Sequence, residues 1–338
     1  MEQYLVAMTN GENVGFAVAR KGFSLSLEKV WSGKTVDFPT FIDALQHYLR
    51  EHELQPRDHG FALAVSGIPR GDVLSIANCR WYLSVSGIRS FLRSDPLVLN
   101  EFAAAGWALT ALDRSRFITV GTHAPRAIAA GSTYLVVGVG FNLGVATVHV
   151  TADGQVVVLE SQGGHTSFAA RTAGDDAILP SLRRRFGEVS YEHVLSDSGL
   201  TIIYQALAER AGRTVEALGT AEILAAARQR SDPTAVETLR LFSNALGAFI
   251  GNQVLSAGAW GGVFLTGATV HDMMSSLTHG DFRAHLCAKG QSSKTLETVP
   301  IAYLNYEYVR LLGCSAALAA RENQFQFAKP APRLAVSA

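Results

Sequence analysis

Apolar residues 4–8 and 14–19 flank the polar stretch Thr9-Asn10-Gly11-Glu12-Asn13, a pattern that predicts two strands joined by a hairpin turn. From Pro39 to Glu53 the period changes. Phe41, Ala44, Leu45, Tyr48 and Leu49 recur at helical spacing with charges between them, which predicts a surface helix lying on a sheet. Residues 61–65 read as a short buried strand closed by the turn Ser66-Gly-Ile-Pro-Arg-Gly, and Leu97 to Phe102 as a strand running into a helix. Strands and helices therefore alternate, as in α/β folds.

A second series repeats the theme. Tyr134 to Val150 reads strand, glycine turn, strand, echoing the N-terminal hairpin. Beyond Val158 the pattern predicts a loop through Gly164, then helical segments at 175–185, 191–195, 199–210, 221–228 and 233–255. Residues 262–266 predict one more buried strand before a glycine turn, and 309–321 a last helix. The tail 327–338, with Pro330 and Pro332, is expected to be mobile.

Two stretches without Asp, Glu, Lys or Arg, 127–152 and 241–271, are long enough to raise the question of a membrane span. Both are interrupted by Gly, Asn, Ser and Thr, so they are expected to be buried strands and a packed helix. Composition narrows the function classes. The 338 residues are 48% hydrophobic and 17% charged, enough for about two cored domains. Basic and acidic residues number 29 each, which leaves no electrostatic footprint for nucleic acid or an anionic membrane. Cys79, Cys287 and Cys314 are far apart, so neither a disulfide framework nor a thiolate metal site is expected. With no basic-then-apolar leader at the N-terminus, the expected compartment is the cytoplasm. His47, His52 and His59 lack metal-ligand spacing and are expected to face solvent, as is the run Arg183-Arg184-Arg185 at a helix end.

Five motifs occur in an order that resembles the bacterial glucokinases of the sugar-kinase, actin and Hsp70 fold. Asn78-Cys-Arg-Trp81 is similar to the family's tryptophan loop, and Leu99-Asn100-Glu101-Phe102-Ala103-Ala104 to its "I-N-D-F-T-A". Ser161-Gln162-Gly163-Gly164-His165 resembles "G-E-G-G-H", Ser190 to Ser196 resembles "S-A-E-x-V-L-S", and Gly261 to Gly267 resembles the adenosine strand and turn "G-G-V-F-I-A-G-G". The similarity runs from about Tyr4 to Leu318. It implies a two-lobed actin-like α/β fold with the site in the cleft. The smaller lobe would be residues 1–112 with a C-terminal helix at about 309–325, and the larger lobe residues 113–308 with a helical insertion. It further implies a homodimer.

In that family a carboxylate accepts the proton of the sugar hydroxyl while glycine-rich hairpins hold the ATP phosphates. Carried over residue by residue, Glu101 takes the place of the catalytic Asp, and Asn100, Gln162, His165 and Glu192 take the sugar-binding places, Gln162 replacing a Glu. The phosphate motifs depart further. "D-x-G-G-T-N" aligns with Met8-Thr9-Asn10-Gly11-Glu12-Asn13, so Met8 stands for the metal-positioning Asp and Glu12 for a phosphate-bonding Thr. Like charges about 4 Å apart repel by roughly 1–4 kcal/mol. The second hairpin, "G-x-G-T-G-L-G", reads Gly138-Val-Gly140-Phe141-Asn142-Leu-Gly144, and Ala268 replaces a glycine after Gly267.

These departures lead to the expectation of a sugar-binding or regulatory pseudokinase, with a hexose or related small molecule as ligand. The alternative is an active ATP-dependent hexose kinase using Glu101 as base, for which ATP and Mg²⁺ would be needed. A protein-interaction scaffold is a third reading. No metal site is expected from the residues themselves.

Overall fold

The computed structural model describes residues 3–20, 25–56, 60–76, 79–213 and 218–322. The tail at 327–338, Asn78 and His59 lie outside the described residues. The chain opens with an antiparallel meander, β1 (Gln3–Thr9), β2 (Asn13–Arg20) and β3 (Ser26–Lys34). Helix α1 (Phe41–Glu51) then leads to β4 (Gly60–Val65), which pairs parallel with β1. A small hairpin of β5 (Val73–Ser75) and β6 (Tyr82–Ser84) and helix α2 (Val85–Leu92) precede β7 (Leu97–Asn100), parallel to β4. The first sheet thus has the order β3-β2-β1-β4-β7.

After α3 (Glu101–Ala108) the plan repeats. Strands β8 (Phe117–Thr119), β9 (Ser132–Val139), β10 (Leu143–Val150) and β11 (Val156–Ser161) come first. The helices α4 (Ala173–Phe186), α5 (Asp197–Arg210), α6 (Thr220–Gln229) and α7 (Pro233–Ala257) follow. Strand β12 (Gly262–Thr266) is separated from β13 (Ile301–Leu304) by α8 (Ala268–His279), α9 (Phe282–Cys287) and α10 (Ser293–Glu297), and α11 (Val309–Arg321) comes last. The second sheet runs β11-β10-β9-β12-β13-β8, a meander followed by two parallel strands as in the first, with β8 added antiparallel at the edge. This is the two-lobed α/β architecture expected from the motifs.

Local chemistry explains the elements that were legible. The five apolar positions predicted to face the sheet, Phe41, Ala44, Leu45, Tyr48 and Leu49, are buried, with Phe16 stacked on Tyr48 at 5.2 Å. The Thr40 hydroxyl caps the helix by accepting from the Asp43 amide. Burying side chains of this size stabilises by roughly 1.5–3 kcal/mol each. The two charge-free stretches are the β9–β10 hairpin and the α7-to-β12 passage. Among the described residues no helix is long and apolar enough to cross a membrane.

Three expectations are corrected. The expected loop after Val158 continues as a strand to Ser161, because β10 supplies its ladder partners even though the strand is largely exposed. Tyr191 to Leu195 is a turn and not a helix: the Tyr191 and Glu192 amides donate to Thr166 and Gly164 carbonyls in a neighbouring turn. His52 is half-buried, its ring 4.7 Å from that of Tyr48. His47 and Arg183 to Arg185 are exposed, and the three cysteines are free.

Helices α3 and α11 bring the sheets together. Leu311, Cys314 and Leu318 of α11 pack with Tyr4, Val6, Ala62 and Ala64 of the first sheet, whereas Ala105 and Ala108 of α3 pack with Val136 and Val148 of the second. The helices cross so closely that a β-carbon on Gly313 would lie 1.6 Å from the Ala104 carbonyl oxygen. Only glycine allows that approach. The N-termini of both helices are thereby held beside the two hairpins.

Candidate active site

Two adjoining cavities open where the sheets meet. The smaller, about 160 Å³, is lined by residues that include Asn100, Gln162, His165 and Glu192. The larger, about 340 Å³, is lined by both hairpins, Asp197, the start of α8 and Arg310. Glu101, Phe102 and Asn142 line both.

Asn100 ends β7 and caps α3. Its Oδ1 accepts from the Phe102 amide at 2.8 Å, and its Nδ2 donates to the Gly67 carbonyl at 2.8 Å. One amide hydrogen is left outside these bonds. This cap starts the helix on Glu101, whose side chain is 5% exposed. The carboxylate faces a guanidinium: Arg310 Nε lies 2.9 Å from Glu101 Oε2.

Gln162 and His165 bracket a tight turn between β11 and α4, and both are exposed. Glu192 arrives from the turn before α5. Its Oε2 accepts from the Leu143 amide at 3.2 Å and lies 3.8 Å from His165 Nε2. The Glu192 amide in turn donates to the Gly164 carbonyl. Backbone bonds thus fix the two turns to each other and the Glu192 carboxylate ties them to β10, which holds these polar side chains at one wall.

The first hairpin is closed by Asn10, whose Oδ1 accepts from the Asn13 amide at 3.0 Å. Thr35 braces it from behind, its hydroxyl donating to the Gly11 carbonyl and its amide to that of Glu12. Glu12 is exposed and on the cavity wall, with Asn13 beside it. Met8 packs in the apolar layer between the first sheet and α11, and Met8, Gly11 and Gly138 line neither cavity. In the second hairpin Gly140, Phe141 and Asn142 face the larger cavity, with Phe141 43% exposed. Gly267 and Ala268, at the start of α8, complete that wall.

Hairpin and α3 fit through missing side chains. A β-carbon on Gly144 would lie 1.8 Å from the Phe102 ring, and one on Gly138 2.2 Å from it. The glycines therefore seat Phe102 under the hairpin and set where Glu101 emerges.

Residues 5–321 match the glucokinase family. The chain belongs to that family. It is 35% identical over 317 residues to the bifunctional protein glk of Burkholderia orbicola (strain AU 1054), covering 93% of this chain and 48% of that protein. The chain thus spans about half the length of these bifunctional relatives. Against the glucokinase of Stenotrophomonas maltophilia (strain K279a) the identity is 34% over 323 residues, 94% of this chain and 95% of the relative. A crystal structure of glucokinase from an Antarctic psychrotroph superposes with a TM-score of 0.81 at 30% identity, covering 94% and 99% of the two chains.

Within this glucokinase-family cleft several residues escaped the motif reading. Ser66 and Gly67 line the smaller cavity, and Asp197 and Arg310 the larger. Arg310 had a signal in the sequence: it is the lone charge in the apolar run from Val309 to Ala320. Asp197 had none, since an acidic residue opening a helix is ordinary. Among the described residues no three His, Cys, Asp or Glu side chains cluster as a metal site.

Proposed function

We propose that this chain transfers the γ-phosphoryl group of ATP to a hydroxyl of a hexose. The observation that carries the reading is that Glu101 lines both cavities at once. A base for phosphoryl transfer must reach the sugar hydroxyl on one side and the incoming phosphate on the other.

In this reading the hexose occupies the smaller cavity, its hydroxyls met by Asn100, Gln162, His165 and Glu192, and the nucleotide phosphates occupy the larger one. The Glu101 carboxylate accepts the hydroxyl proton as the sugar oxygen bonds to the γ-phosphorus. The bond from that phosphorus to the β–γ bridging oxygen breaks, and ADP leaves with the electron pair.

Mg²⁺ prefers oxygen ligands, so the Met8 thioether, packed in an apolar layer, does not suit it. Glu12 and Asp197 put carboxylates on the phosphate cavity and are the residues that would hold the ion. When bound, Mg²⁺ neutralises charge on the phosphate oxygens. Glu12 is in this reading a metal-binding residue in place of a phosphate-bonding hydroxyl.

Met8 and Phe141 favour a second reading, a sugar-binding pseudokinase, because neither offers the family's polar group. Transfer of labelled phosphate from ATP-Mg²⁺ to a panel of hexoses and amino sugars separates the two. Kinase activity is expected in the wild-type chain and a loss of about 100-fold or more in Glu101→Gln. Hexose binding with no transfer above that variant would establish the pseudokinase.

A further inference from the structure

The larger cavity carries three carboxylates on its wall, those of Glu12, Glu101 and Asp197, against one cation, Arg310. A polyphosphate entering it needs positive charge. Neither hairpin supplies a side chain for this, because Glu12 is anionic and Phe141 apolar.

Arg310 is placed to supply it. The second residue of α11, it is held by the close α3–α11 crossing, and its side chain is 23% exposed. Although its Nε lies 2.9 Å from Glu101 Oε2, that buried N–H makes no hydrogen bond, so the pair is a charge contact without aligned geometry. Among the described residues nothing accepts from its remaining donors. A guanidinium is a rigid fork of five N–H donors matched to phosphate as well as to carboxylate. Leaving the buried Nε–H unsatisfied is costly, and the other donors are open to a ligand in the cavity.

We propose that Arg310 is the phosphate-binding cation of this site, taking the terminal phosphate of the nucleotide and so releasing the Glu101 carboxylate to accept the hydroxyl proton. The proposal rests on the kinase reading for its second half only. Anion binding by Arg310 stands or falls by itself. It explains how a site whose first hairpin has a thioether and a carboxylate where the family has an Asp and a Thr can still hold a triphosphate. It also makes the last helix, and not the hairpins alone, part of nucleotide recognition.

The test is calorimetric titration of the full chain with AMPPNP and, separately, with AMP. Arg310→Met is expected to weaken AMPPNP binding by about tenfold or more and to change AMP binding by no more than about twofold, since one charge-assisted contact to the terminal phosphate is lost. Arg310→Lys, which keeps the charge and guards against a folding defect, is expected to recover part of the AMPPNP affinity. In turnover, KM for ATP should rise in the Met variant while KM for hexose stays within about twofold. AMPPNP bound equally by wild type and Met variant, equal weakening of AMPPNP and AMP, or no AMPPNP binding to the wild type would each overturn the proposal. If AMPPNP binding depends on Arg310 yet no hexose phosphate forms, the kinase reading fails and the anion site stands. If hexose phosphate forms and Arg310→Met is indifferent, only the anion site fails.

Discussion

Asn142 Nδ2 donates to the hydroxyl of Ser66 across 2.8 Å, tying the β9–β10 hairpin of one sheet to the end of β4 in the other. An asparagine standing where the family motif has a glycine is therefore a link between lobes. Asn142→Ala is expected to lower unfolding stability by about 1 kcal/mol, the net worth of one hydrogen bond. Denaturant titration measures it. An unchanged midpoint would mean that the two lobes do not rely on this bond.

The seat of Phe102 under the hairpin gives a sharper expectation. Gly144→Ala puts a β-carbon 1.8 Å from the ring, and overpacking of this degree should cost about 3 kcal/mol. Adding Phe102→Ala removes the obstacle, so the double variant should be less destabilised than the sum of its parts. Simple additivity in a double-mutant cycle of melting data would contradict the packing described.

Glu12 separates metal binding from repulsion. If its carboxylate holds Mg²⁺, Glu12→Gln should raise the Mg²⁺ concentration for half-maximal turnover several-fold and leave the hexose KM within about twofold. If Glu12 only repels phosphate, the same variant should lower KM for ATP at saturating Mg²⁺. Initial rates over a matrix of ATP and Mg²⁺ concentrations distinguish these outcomes.

Stability should depend on histidine protonation beside the turn that carries Gln162 and His165. His193 stacks on Phe186 with ring centroids 4.0 Å apart, and its Nδ1 accepts from the Ser190 amide at 3.1 Å. Burial holds its pKa below the ordinary 6.5, opposed by the nearby Glu192 charge. The folded chain therefore binds fewer protons than the unfolded one. The contribution is complete above pH 6.5 and is lost as pH falls below it, levelling once His193 is protonated in the folded state as well. Burial lowers His285 in the same way. His193→Gln should flatten part of the slope seen in melting temperature between about pH 7 and 5, and the share due to His285 should remain. A slope unaltered in the variant would place the effect elsewhere.

Much of the site was legible because it is built from short contiguous motifs. Asn100, Glu101, Gln162, His165 and Glu192 were all recognisable as residue types in order, and they do converge on one cavity. Their surroundings were not legible. The ion pair of Glu101 with Arg310 joins residues 209 positions apart in sequence, and the Asn142–Ser66 bond spans 76. Nothing in local patterning signals partners at that separation. The edge strand β11 was missed for a related reason, since its stability comes from β10 and not from its own alternation.

The sequence by itself determined the alternation of strands and helices, the amphipathic face of α1, the repeated hairpin and the family motifs, because periodicity and turn chemistry act over a few residues. Only the tertiary structure decided that Met8 sits in an apolar layer while Glu12 meets the cavity, that Glu101 stands between two cavities, and that a cation from the last helix reaches it. Charge and solvation at a point in space depend on every segment that packs there, and the close crossing of α3 and α11 brings those segments together.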